Sequence, residues 1–152
     1  MTPSAKPIAP VYLGGRFGLS SPVAIGDTWT HVPFDTVSNA LVPNGVHLDA
    51  GDLVVDTAGV MKAALNLVTG NAMMVSGVQV RFVLNPDSAA SVSDREEESK
   101  GLASSQKIHA DAYRDVVVDD RLRIEAQVIG AGSVNVDPDE QITNLMVTIY
   151  AR

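Results

Sequence analysis

The chain has 152 residues, is 45% hydrophobic and 19% charged, and contains no cysteine. That places it with single globular domains and excludes disulfides, thiolate metal sites and cysteine nucleophiles. A net charge of −7 leaves few cations to replace counterions on a nucleic acid or to meet anionic lipid, so neither is an expected partner. The stretch MTPSAKPIAPVYLGG lacks a signal-peptide-like apolar run, and no run of about 18 apolar residues reads as a membrane-spanning helix.

Residues 1–22 hold Pro3, Pro7, Pro10 and Pro22 together with Gly14, Gly15 and Gly18. This composition predicts an extended arm with flexible joints, followed by one domain over 23–152. The arm also carries Ile8, Val11, Tyr12, Leu13, Phe17 and Leu19. A solvated tail would be more polar, so these six are its candidate contacts with its own domain or a neighbour. GGRFG, residues 14–18, lacks the Lys-Ser/Thr of a phosphate loop and reads as a hinge.

From Thr28 the pattern turns to period two. In TWTHVPFDTV, Trp29, His31, Pro33, Asp35 and Val37 share one face, and Thr28, Thr30, Val32, Phe34 and Thr36 share the other. Pro33 points to an edge or a bulge. Trp29, the lone tryptophan, reads as a core or interface residue rather than a sugar-stacking platform. Asn44-Gly45 is a turn signal, and LVVDTAG reads as a short strand ending at Gly59.

GVMKAALNLVTGN, residues 59–71, fits two patterns. Met-Lys-Ala-Ala-Leu favours helix, while Met61, Ala63, Leu65 and Leu67 alternate as in a strand. Its neighbours on both sides are strand-like, and a lone helix would need a layer of its own. Gly59 and Gly70-Asn71 bound it at strand length, so it is predicted as a strand of about ten residues.

VSGVQVRFVLNPD follows as a strand, with Val78, Val80, Phe82 and Leu84 on one face and Asn85-Pro86-Asp87 closing it. Residues 86–104 are polar and are predicted as a solvated loop with one short helix, since Ser93 and Glu96 have capping-box spacing and Gly101 suits a helix end. Ile108, Ala110 and Ala112 alternate in the next segment, and Asp119-Asp120 makes a turn. Leu122, Ile124, Ala126 and Val128 then face in against Arg121, Arg123, Glu125 and Gln127. Residues 131–141 read as a loop or short edge strand. Leu145, Val147 and Ile149 line one face of a last strand.

Many short strands at these intervals predict an all-β antiparallel sandwich. Their order resembles the jelly-roll superfamily of tumour necrosis factor and the complement globular heads. The resemblance is carried by TWTHVPFDTV, LDAGDLVVDTAGVMKAALNLV, VQVRFVLN, VVVDDRLRIEAQV and LMVTIYAR, and covers residues 27–152. It departs from the family in having Val60 and Met61 where an aromatic residue follows the inner glycine. The resemblance implies a jelly roll that assembles as a homotrimer, with Trp29 and Tyr150 as candidate core or trimer contacts. Versions of this fold occur in bacteriophage virion proteins, including capsid decoration proteins. It therefore implies a structural protein, made in the bacterial host cytoplasm, that sits on the outer capsid surface with the major capsid protein as partner.

No motif points to catalysis. SSQK, residues 104–107, matches Ser-x-x-Lys without its Ser-Asp-Asn and Lys-Thr-Gly partners. His109 and Asp111 share a strand face but need two more ligands to hold a metal. Asp115/Asp119/Asp120 and Asp137/Asp139/Glu140 lack the fixed spacing of a calcium loop. No enzyme activity, cofactor or metal is expected. The alternative function is a receptor- or glycan-binding head of a tail fibre, using the loops at 86–104 and 130–140. Such heads follow long repetitive shafts, and here about 22 irregular residues precede the domain.

Overall fold

The computed structural model describes residues 12–38, 41–70, 75–88, 92–99, 107–130 and 132–152. Strands are numbered in chain order. One sheet has the order β10 (Lys107–Val116), β7 (Gly59–Val68), β13 (Asn144–Ala151), β1 (Gly14–Gly18), β4 (Thr36–Val37). The other runs β5 (Val46–Asp49), β6 (Asp52–Val55), β11 (Arg121–Gly130), β8 (Val75–Leu84), β9 (Val92–Ser99), with β3 (Thr30–His31) also on β11. β2 (Val23–Ile25) and β12 (Val134–Val136) form a two-stranded ribbon. Every named pairing is antiparallel. The fold is the all-β sandwich that the alternation predicts.

The inward rows of both sheets make one core. Met61, Ala63, Leu65 and Leu67 of β7 meet Val78, Val80 and Phe82 of β8 and Leu122, Ile124, Ala126 and Val128 of β11 within the same buried cluster. This decides the ambiguous stretch 59–71 in favour of strand. Helix preference among these residues is worth a few tenths of a kcal/mol each, whereas burying each Leu or Met contributes about 1.5–3 kcal/mol. β10 on one side and β13 on the other also complete the backbone hydrogen bonding of β7.

Glycine lets β13 sit close between its neighbours. A Cβ on Gly14 would lie 1.9 Å from the Val147 carbonyl oxygen, and one on Gly59 would lie 2.3 Å from that of Tyr150. Gly14 also has φ +142°, where a side chain is strained.

The arm boundary at residue 22 is corrected. GGRFG is not a hinge but β1, paired with β13 through Gly14↔Thr148 to Phe17↔Leu145 and with β4 through Phe17↔Val37. Phe17 and Leu19 are buried in the core and Leu13 packs against it. The cause is the Phe17 ring, which supplies core volume that extended, glycine-rich chain can bring close to β13. Ile8 and Val11 lie outside the described residues.

A second correction concerns part of 86–104, of which residues 89–91 and 100–104, with Gly101, lie outside the described residues. Residues 92–99 are β9 rather than a helical turn, with Ser93 opposite Val83 and Glu96 opposite Arg81. The unpaired edge of β8 offers backbone groups that a strand satisfies and a helix does not. LVVDTAG also divides: β6 stops at Val55, and Gly59 opens β7.

Candidate interaction face

The two outer faces of the sandwich differ in chemistry. On the β6–β11–β8 side the polar residues satisfy one another. The Gln79 amide donates to Gln127 Oε1 at 2.6 Å, and Arg81 Nε donates to Glu125 Oε1 at 2.7 Å. Arg123 grips the buried Asp52 with both donors, Nε at 3.0 Å and Nη2 at 3.1 Å. His31 Nε2 lies 3.1 Å from the same carboxylate, and Arg121 pairs with Asp49. Asp52 holds the Arg123 guanidinium above its ordinary pKa. Trp29, half-buried, lies under the Arg81 guanidinium at 4.2 Å. It is thus a cover for a charged ladder, neither deep core nor an open platform.

The β10–β7–β13–β1 side carries the apolar and aromatic surface. Tyr12, Tyr113 and Tyr150 are all the tyrosines of the chain, and all three are exposed on this side. Tyr113 is 60% and Tyr150 57% exposed. They point outward because Ala112 of β10 and Ile149 of β13 point inward. Met146 is exposed beside them, and β7 contributes Val60 and Ala64 to the same outward rows, opposite Tyr150 and Met146. Tyr12 is pinned from β13, its hydroxyl donating to the Val147 carbonyl at 2.8 Å.

Charge on this face is mixed. The Lys62 ammonium lies 5.7 Å from the Tyr113 ring centre, and the neighbouring Tyr113 hydroxyl raises its pKa above the usual lysine value. Asp115 pairs with Arg152, and Arg16 lies 3.6 Å from Glu140. At one end, Asn66, Val68, Lys107, His109, Gln141 and Ile142 line a shallow open groove.

Among the described residues, no group of three or more His, Asp or Glu is placed to hold a metal ion. His109 sits 3.4 Å from Asp111 and 2.8 Å from the Asn66 side-chain oxygen. Both acidic clusters fasten turns. Asp120 accepts from the Val117 amide, Asp137 from the Asp139 amide, and Asp139 from that of Gln141.

Of the sequence-predicted contacts, Tyr12 and Tyr150 therefore lie together on one exposed face. Phe17 and Leu19 do not; they are core. Tyr113 was missed. Its signal was its place in the alternation, opposite in parity to Ala110 and Ala112.

No family model matches the sequence, and no curated protein does. Solved structures do share its architecture. Eiger TNF from S. frugiperda superposes with a TM-score of 0.74 at 13% identity, covering 92% of this chain and 93% of that one. Murine APRIL at pH 5.0 gives a TM-score of 0.72 at 6% identity, covering 92% of this chain and all of the other. Its pH 8.0 structure gives 0.71 at 8% identity over 92% and 100% of the two chains. These likenesses, with the strand order above, show that the chain has the TNF-like jelly-roll fold.

Proposed function

We propose that this chain is a structural virion protein. It binds the outer shell of a bacteriophage capsid as a decoration protein, stabilises that shell, and assembles as a homotrimer. The observation that supports assembly is the concentration of every tyrosine, with Met146 and Val60, on one sheet face. Tyrosine suits interfaces because its ring gives large area with few rotors and its hydroxyl pairs at the wet rim. A second copy of the chain is a fitting occupant. Lys62 and Arg152 stand on the same face as Asp111 and Asp115, so rotation of one copy against the next can set cation against carboxylate. The shell as partner draws its support from composition. The chain is acidic and cysteine-free, and apolar Ile8 and Val11 precede the sandwich.

Light scattering after gel filtration tests the assembly. Three copies of a 16.0 kDa chain give a mass near 48 kDa. The double variant Tyr113→Asp/Tyr150→Asp is expected to run near 16 kDa with an unchanged far-ultraviolet spectrum, since both rings are exposed in the single chain. A wild-type monomer at every concentration tested sinks the trimer. Co-sedimentation with capsid shells that lack this protein tests the role itself. Bound shells are expected to resist heating better than bare ones, and shells that neither bind nor gain resistance overturn the reading.

A further inference from the structure

One end of the sandwich carries two bare apolar residues on a tight turn. The turn between β10 and β11 presents Val117 and Val118, which are 60% and 52% exposed. Turns normally carry polar or small residues, so two adjacent bare valines at a tip are unusual.

The tip is held rigidly. The Val117 amide donates to Asp120 Oδ2 at 2.9 Å, and the Asp120 amide donates back to the Val117 carbonyl at 3.1 Å. The Asp119 amide donates to the Val55 carbonyl at 2.8 Å and the Val55 amide to the Asp120 carbonyl at 2.9 Å, and the Asn85 side-chain Nδ2 donates to Asp120 Oδ1 at 3.1 Å. Asp119 adopts φ +75° to make the corner. The valines are thus displayed on a preorganised support, which lowers the entropy lost on docking.

Exposed carboxylates stand in the segments that meet at this end: Asp87 and Asp119, with Asp56 beside His47 and Asp115 paired with Arg152. The chain also enters the domain here. Val116 lies opposite Gly59 and Gly59 opposite Ala151, while the Ile149 amide donates to the Leu13 carbonyl. The start of β1 therefore lies at the same end as the valine tip, about 14 Å away across three strand spacings.

We infer that this end is the surface that docks on the shell, and that Val117 and Val118 enter an apolar pocket rimmed by lysine or arginine on the partner protein. The inference rests on the virion reading above and adds where the contact lies and what chemistry receives it. The exposed carboxylates of Asp87 and Asp119 set the sign of the partner's rim. In a trimer the tip occurs three times, so modest single contacts multiply into avidity.

The test compares full-length wild type with Val117→Ser/Val118→Ser and with Asp87→Lys, each co-sedimented with bare shells at low and high salt. The serine variant is expected to bind about tenfold more weakly or worse, with native mass and melting temperature unchanged. The lysine variant is expected to weaken binding at low salt and to flatten its salt dependence. Wild-type binding matched by the serine variant overturns this inference and leaves the virion reading standing. Failure of wild type to bind overturns both. A serine variant of altered native mass makes the tip a contact between copies and likewise overturns the docking assignment.

Discussion

Phe17→Ala is expected to lower the melting temperature by about 10 °C. The Phe17 ring is fully buried, packed within the core under β1. Truncating a buried phenylalanine removes its transfer free energy and leaves a cavity, together about 3–5 kcal/mol. In a domain of this length each kcal/mol shifts the melting temperature by about 2–4 °C. The backbone at residue 17 pairs with both Leu145 and Val37, so the cavity cannot close by drawing in the strand. The result separates two roles for the same residue. An arm contact with a neighbour would leave the melting of dilute protein unchanged and weaken only assembly; a core residue lowers melting at every concentration. A circular-dichroism melt at two concentrations reads the difference, and an unchanged transition would contradict the packing described.

Asp52→Ala is expected to cost about 3 kcal/mol of unfolding free energy. Asp52 is 2% exposed. It receives two hydrogen bonds from Arg123, and His31 stands within 3.1 Å and Arg121 within 3.7 Å. Removing one partner of a buried ionic group leaves the others uncompensated, which costs more than the pair was worth. Arg121 and Arg123 are each about a quarter exposed, so water recovers some of the loss and the cost sits at the low end of the range for buried pairs. Asp52→Asn retains an acceptor and the shape, so it is expected to fall between wild type and alanine. Urea unfolding gives both values through the midpoint at constant slope. The native mass is expected to stay the same in both variants, because Asp52 belongs to the sheet opposite the tyrosine face. Equal stability of wild type and Asp52→Ala would mean that the arginines find other partners.

Alternation carried most of the fold. Leu122 to Val128 and Leu145 to Ile149 could be assigned to the inside because period two leaves no other reading, and the structure buries the inward row of each. The stretch 59–68 was decided by its neighbours rather than by itself, as its pairing with β10 and β13 confirms. Two segments misled for a shared reason. In GGRFG the glycines mimic a joint, and in 92–99 the Ser–Glu spacing mimics a helix start. Both are strands because a neighbouring strand, distant in sequence, needed a partner. Local composition holds no record of that need. The tyrosine face was half legible. Tyr12 was read as an apolar arm residue and Tyr150 as a contact implied by the resemblance, but the sheet order that brings Tyr113 onto the same face is a long-range fact.

The placement of β1 has a mechanical consequence. Its four pairs with β13, from Gly14↔Thr148 to Phe17↔Leu145, carry hydrogen bonds that lie across the strand direction. Tension applied through the chain before Gly14 runs along that direction, so the bonds are strained side by side and must yield together. Tension between the start of β1 and the end of β13 acts differently. Those two points lie at the same end of the sheet, and the same bonds would open in succession, as in a zipper. A pull that enters before Gly14 and leaves at the far end of the sheet thus loads the domain in its strong direction.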